Sequence, residues 1–466
     1  METRRMVAYV LAVILSMLGV CKLAAQEMPS TVKLITKETS LGKMDPGPLS
    51  KTVTLSPYCR RVACVVKRVY SFIMVVDGVE GKEYDAIGGP PVFSPDGRHV
   101  LYTAMENANW FVVVDGKEGR VYDALGQADP VFSPDGRRIM YPAKRRRSWL
   151  VVTDQTEGKK YEGLGTGNLF FSPDGRRTFH VAIRAERMFA VVDGVEGPEC
   201  DAIAKGSAAF SPDSRRVAYV GQRAGNQNVV LDGAVGKTYD GINGLAFSAD
   251  SQHVAYAASR GERQLVVRDA DEGKEYDSIM KGTPIFSPDG KRMAYAAQRA
   301  GKWSVILDGV EGKEYDEVSP PIFSPGGEHL AYAARRGMEY FVVADGVEGT
   351  PYNGMGGAMP VFSPDGKRLA HGGVRGAKRF MVVDGAPGPA YEKVVGPVFS
   401  PDSKRLAYFA VRNGKHFAVV DGAEGREYEG ADPPARLVFD GPNSLHTILI
   451  RPPGEFLRVQ FEISPR

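Results

Sequence analysis

The sequence predicts an all-β chain of tandem four-stranded units, and three observations predict it. The first is a phrase, Phe362-Ser363-Pro364-Asp365-Gly366-Lys367-Arg368-Leu369-Ala370. It returns at Phe93, Phe132, Phe171, Phe210, Phe247, Phe286, Phe323 and Phe399, and in weaker form at Leu55. Successive copies stand roughly 37–40 residues apart, a period found in propellers and solenoids. The second is another phrase at a fixed offset after each copy, clearest as Asp308-Gly309-Val310-Glu311-Gly312-Lys313-Glu314-Tyr315-Asp316. The third is the absence of a helical apolar period after the N-terminal apolar run. Apolar residues come instead in short runs bounded by Gly, Pro and Asp.

The unit that begins at Pro284 shows the reasoning element by element. Pro284-Ile285-Phe286 is a short apolar run and reads as a buried first strand. Ser287-Pro288-Asp289-Gly290 is turn chemistry, with Pro presetting φ and Gly taking the position that needs positive φ. Arg292–Ala297 reads as the second strand, and Arg299-Ala300-Gly301-Lys302 turns the chain. Trp303–Leu307 is aromatic and β-branched, as a third strand requires. Asp308-Gly309 and Glu311-Gly312 read as the next turn, leaving Glu314-Tyr315-Asp316 as a short polar fourth strand at an outer edge. Four short antiparallel strands in about 39 residues is the content of one propeller blade. A leucine-rich solenoid needs one strand per 20–29 residues, too short a period for this chain. About ten such repeats fill residues 51–434, with a single large ring favoured and two smaller propellers as the alternative.

The phrase Phe-Ser-Pro-Asp-Gly-Lys-Arg-Leu-Ala resembles the WD40-like repeat of TolB-type β-propellers. The resemblance covers roughly residues 51–430. It implies that the first strand of each unit lines a central channel and the fourth is outermost. It implies little about function, because propellers host many activities. TolB-type proteins carry an α/β domain before the propeller, and only about 25 residues are available for one here.

The two ends depart from the repeat. Residues 1–25 read as a signal peptide: Arg4 and Arg5, an apolar run from Met6 to Val20, and Leu23-Ala24-Ala25 before Gln26. That run is too short for a membrane span. Leu18-Gly19-Val20-Cys21 is the competing lipoprotein reading, disfavoured by the bulk of Val20. Residues 26–50 are an N-terminal segment in which Val32–Ile35 reads as a strand. Residues 435–466 read as a partial terminal blade, with strands at Arg436–Phe439, Leu445–Arg451 and Phe456–Ile463. The N-terminal strand is the natural fourth member, which would join the ends and remove exposed edges. The expected location is periplasmic or secreted, with no membrane span in the mature chain.

Composition narrows the partner class. The formal net charge is only +3, so no bulk field draws the molecule to nucleic acid. Cys59, Cys64 and Cys200 sit at drifted repeat positions, Cys59 replacing Gly and the others Tyr. A Cys59–Cys64 bridge is open to an oxidising compartment, but the repeat does not require it.

Charge is concentrated locally. The loop between the second and third strands is basic in nearly every unit, and only the loop with Glu106 departs. The candidate binding residues are Arg145, Arg146, Arg147, Arg299, Lys302, Arg335, Arg336, Arg375, Lys378, Arg379, Arg412 and Lys415. The links that share this face look nearly neutral, for example Gly88-Gly89-Pro90, so the expectation is a positive rim fit for a protein or an anionic polysaccharide. Against it stands the plainer reading that basic turns keep a repetitive protein soluble. The turn aspartates (Asp96, Asp135, Asp174, Asp213, Asp289, Asp365, Asp402) cap their own turns. A calcium loop needs six or more oxygens at one point, and these are spread along the array. The repeated tyrosines (Tyr84, Tyr122, Tyr161, Tyr239, Tyr276, Tyr315, Tyr352, Tyr391, Tyr428) are read as packing between neighbouring units. Histidines assemble no zinc spacing, and no nucleophile elbow is present. No catalytic residue, metal or cofactor is assigned. The expected function is an exported, non-enzymatic binding scaffold; the alternative is a glycan lyase or hydrolase with its site at the channel mouth. The sequence leaves the oligomeric state undetermined.

Overall fold

The structure is a computed structural model and describes residues 32–43, 51–126, 128–429, 436–451 and 454–465. The expected signal peptide and Cys21 lie outside the described residues. All regular structure among the described residues is β apart from one short 3₁₀ turn at Lys51-Thr52, and no helix there is long and apolar enough to cross a membrane.

Eleven antiparallel sheets form among the described residues: ten from the repeats and one from the two chain ends. The seventh repeat is typical. Its first strand is split into Ser278–Ile279 and Ile285–Phe286; Met293–Arg299, Lys302–Leu307 and Val310–Glu311 follow. The fourth strand differs from the sequence expectation. The tight turn is Asp308-Gly309 alone, with φ of 51° and 83°, values that suit a two-residue hairpin. Glu311 is already paired with Ile306 across the sheet. Gly312 brings its backbone against the third strand, where a Cβ would meet the Val305 carbonyl oxygen at 2.9 Å. Glycine is therefore needed for close approach within the strand, not for a second turn. Tyr315 then rejoins the sheet through a bridge to Trp303.

Each second and third strand is buried over its centre, and neighbouring sheets share an apolar layer. Tyr84 and Met74 of the first repeat pack with Tyr102 and Phe111 of the second. Tyr315 of the seventh packs with Tyr332 and Phe341 of the eighth. Burying such side chains contributes ~1.5–3 kcal/mol each.

The terminal sheet is built from Val438–Gly441, Ser444–Arg451, Glu455–Pro465 and the N-terminal strand Val32–Lys43. The N-terminal strand lies antiparallel to the last, from Val32 opposite Pro465 to Lys43 opposite Glu455. It is far longer than the short run the sequence suggested. One face of the sheet packs Phe461, Leu445 and Val32 against Phe409 and Val420 of the tenth repeat. The other packs Ile448 and Phe456 against Cys64, Ile73 and Val75 of the first. The terminal sheet thus lies between the two ends of the array. Cys59, Cys64 and Cys200 are free, buried thiols, so no Cys59–Cys64 bridge forms. Burial pushes the Cys64 thiol up to about 11.

Candidate binding rim

The hairpins between second and third strands carry the predicted rim. Their tips are tight: Ala300 and Gly301 both have positive φ, 50° and 78°. Most tips are capped by an acid from the repeat before, and the ninth by the Asn353 amide oxygen, which accepts from the Gly376 N–H at 3.1 Å. The Ala300 N–H donates to Asp277 Oδ2 at 2.6 Å, Gly337 to Asp316 at 2.6 Å and Asn413 to Glu392 at 3.0 Å. The capping acid is the residue that ends each Tyr-Asp phrase. It brings negative charge onto a face that the sequence led us to read as neutral at the links.

Most predicted rim cations are accordingly neutralised. Arg145 pairs with Glu157 at 2.6 Å, Arg299 with Glu311 at 3.4 Å and Arg336 with Glu348 at 2.7 Å. Arg412 lies 2.8 Å from Glu424 and 3.1 Å from Glu427, and Lys415 lies 3.7 Å from Glu427. Lys302 reaches Asp316 at 2.5 Å, Arg335 reaches Glu317 at 2.8 Å, and Arg379 donates to the Glu392 carbonyl at 2.6 Å. Arg375 lies over the Tyr352 ring at 5.0 Å. The side chains of Arg146, Arg147 and Lys378 have no carboxylate partner among the described residues. The predicted rim is therefore not uniformly basic. Its residual charge sits at the tips of the third and ninth repeats, and three apolar side chains are exposed at the tips of the first and eighth: Val69 (80% exposed), Tyr70 (94%) and Met338 (87%).

The paired arginines belong to a network that repeats at the sheet interfaces. Tyr276 donates to Glu311 of the next repeat at 2.9 Å, while Arg299 stacks on the Tyr276 ring at 4.8 Å and pairs with the same Glu311. Lys274 adds a second cation at 3.3 Å. Tyr239 with Glu272 and Arg260, Tyr315 with Glu348 and Arg336, and Tyr391 with Glu424 and Arg412 repeat the arrangement. Where Glu106 replaces the arginine, Lys82 bridges Glu106 and Glu118, each at 2.9 Å. Isolated surface ion pairs contribute ~0–1 kcal/mol. Here the tyrosine is buried, so loss of its acceptor carries a desolvation cost as well.

Breaks in the network leave orphans. At the fourth-to-fifth interface Cys200 replaces the tyrosine and Val235 the glutamate, and the buried Tyr219 hydroxyl has no partner among the described residues. At the eighth-to-ninth, Pro387 replaces the glutamate and the Tyr352 hydroxyl has none among those residues either. His180 takes the place of a second-strand tyrosine; its Nδ1 is unpartnered among the described residues, and burial pulls its pKa down to about 4. It lines a 140 Å³ cavity with Tyr161, Glu157 and Thr153.

The terminal sheet reproduces the network from distant sequence. Glu38 of the N-terminal strand accepts from Tyr428 at 2.8 Å and pairs with Arg426 at 2.9 Å and Arg451 at 2.7 Å.

The turns carry a second set of contacts. Ser287 Oγ donates to Asp289 at 2.5 Å, and the Lys291 N–H donates to the same oxygen. Arg292 pairs with Asp308 at 2.9 Å and donates to the Glu328 carbonyl of the next repeat at 3.3 Å. His99, His253 and His329 replace that arginine and contact Asp115, Asp269 and Asp345. Among the described residues no group of three His, Cys, Asp or Glu is placed to hold a metal ion.

No known family pattern and no curated protein matches the chain. Solved structures are similar at low identity. A eukaryotic initiation factor matches with TM-score 0.39 and 14% identity, over 78% of this chain and 94% of that one. TolB from Acinetobacter baumannii matches with TM-score 0.25 and 17% identity, over 55% and 65%. The Dos1 propeller matches with TM-score 0.32 and 12% identity, over 67% and 95%. The chain's own array of four-stranded antiparallel sheets, joined in chain order and packed face to face, makes it a β-propeller repeat protein.

Proposed function

We propose that the chain is an exported, non-enzymatic scaffold, one closed ring of eleven blades, that binds a protein or anionic polysaccharide through its hairpin rim. The observation that carries this is the division of labour among side chains. Recurrent aspartates, tyrosines, glutamates and arginines are largely engaged in turns and inter-sheet contacts, while the recurrent exposed valines, Val79 and Val310 among them, sit in the hairpins between third and fourth strands. Residues that vary and face solvent cluster at the tips: Val69 and Tyr70, Arg146 and Arg147, Met338 and Lys378. Exposed aromatic, Met and Arg side chains suit an interface core better than a solubilising surface does.

The test is a pull-down from cell-envelope extract with residues 26–466. The variant changes Tyr70 to Ser and Arg146, Arg147 and Lys378 to Glu. It spares Arg145 and Arg336, whose loss would break the inter-sheet network. The expected result is a saturable partner that is released by moderate salt and lost in the variant, at unchanged melting temperature. Equal retention by both proteins would refute the rim as the binding face.

A further inference from the structure

The interface between the eighth and ninth repeats keeps the tyrosine and the arginine of the repeated network but lacks its acid. The strand register fixes the comparison. Glu311 stands opposite Ile306, Glu348 opposite Val343 and Glu424 opposite Val419; at the same place Pro387 stands opposite Val382. The tyrosine is retained. Tyr352 is 3% exposed, and its buried hydroxyl has no hydrogen-bond partner among the described residues. The arginine is retained as well. Arg375 lies 5.0 Å from the centre of the Tyr352 ring, against 4.8 Å for Arg299 over Tyr276 and 5.2 Å for Arg336 over Tyr315. Arg375 is exposed and has no carboxylate partner among the described residues. The second-strand tyrosine is replaced by His371, whose Nδ1 lies 2.9 Å from the Gly372 carbonyl, so it does not serve Tyr352. The two flanking glycines, Gly372 and Gly373, leave the tyrosine ring close-packed, since a Cβ on Gly373 would meet it at 2.8 Å.

A guanidinium and a buried hydroxyl thus converge where the other repeats place a carboxylate. Glu348 shows how such a group is held: one oxygen takes the Tyr315 hydroxyl at 3.0 Å and Arg336 at 2.7 Å, and the other takes Arg336 at 3.3 Å. Charge-assisted bonds of this kind are about twice as strong as neutral ones. The other defective interface offers nothing comparable, because Cys200 and Val235 remove donor and acceptor together.

We propose that Arg375 and Tyr352 form a binding site for a small carboxylate, which takes the place of the glutamate that Pro387 has replaced. The ligand class is a monocarboxylate: the site offers one guanidinium fork and one hydroxyl, with no second cation such as the lysines at positions 274 and 313 in sister interfaces. The ligand completes the interface, so its binding stabilises the folded chain. Arg375 stands opposite Lys378 in the same hairpin, so the site adjoins the rim, but the effect of acetate on melting does not depend on a rim partner.

The experiment is thermal unfolding of the full chain in sodium acetate against sodium chloride at equal ionic strength and neutral pH. Acetate is expected to raise the melting temperature saturably, by about 2 °C or more. The Pro387→Glu variant supplies the carboxylate internally. It should melt higher in chloride and be indifferent to acetate. Arg375→Gln, at an exposed position, keeps the fold testable if Pro387→Glu does not express, and should lose the acetate effect; Tyr352→Phe should lose it too. No difference between acetate and chloride for the wild type, or an equal acetate effect in Arg375→Gln, overturns the proposal.

Discussion

Removal of the N-terminal strand is expected to abolish cooperative folding. A chain of residues 44–466 would lose the partner of Glu455–Pro465 and leave a long unpaired edge. It would also uncover the cluster in which Val32 packs with Phe461, Ile463 and Leu445. Each such side chain contributes ~1.5–3 kcal/mol when buried. Several together approach the ~5–15 kcal/mol by which whole domains are stable. Glu38 would go as well, leaving the Tyr428 hydroxyl and two arginines without their shared acid. The expected observation by circular dichroism and light scattering is a broad or absent melting transition and aggregation. A sharp transition at the temperature of residues 26–466 would contradict it.

Acid is expected to loosen the array at many interfaces at once. The Arg336 guanidinium holds the Glu348 carboxyl down to about 2. Lys82 lowers Glu118, Arg184 lowers Glu196, Arg260 lowers Glu272, and the Tyr276 hydroxyl lowers Glu311. In the unfolded chain these groups return to the usual carboxylate range near 4.5. A carboxyl whose folded pKa lies below its unfolded one stabilises fully above the unfolded value. That contribution is lost as pH falls from about 4.5 toward about 2. The melting temperature should be level near neutrality and fall steeply across that window. Glu348→Gln should melt lower at pH 7 and show a shallower fall. A flat profile from pH 6 to 3, or an unchanged slope in the variant, would contradict the account.

The repeat, its strand content and its turns were legible because each depends on neighbours in sequence. Ser-Pro-Asp-Gly sets a turn within a few residues, and the Ser287–Asp289 bond is as local as the phrase suggests. The network was not legible in the same way. Glu311 lies in a Gly-rich phrase that also fits a turn, and only the pairing with Ile306 shows it on a strand. Its cation, Arg299, sits twelve residues earlier in a loop that looks purely basic when charges are summed loop by loop. The same separation links Arg184 to Glu196, Arg260 to Glu272, Arg336 to Glu348 and Arg412 to Glu424. A constant offset between opposite charges was the available signal. The acids that cap the hairpins were hidden by greater distance, with Asp277 acting on Ala300 in the next repeat. Glu38 was beyond reach for a different reason. It lies in no repeat, and only strand pairing across nearly the whole chain gives it the role of Glu348.

One repeated contact of tyrosine, glutamate and arginine holds successive sheets and also joins the two ends of the chain. A double-mutant cycle on Tyr428 and Glu38 tests it most directly, through denaturant unfolding of Tyr428→Phe, Glu38→Gln and the double variant. The expected coupling is about 0.5–3 kcal/mol between residues nearly the whole chain apart. Additivity within about 0.3–0.5 kcal/mol would mean that the ends are not joined by this contact.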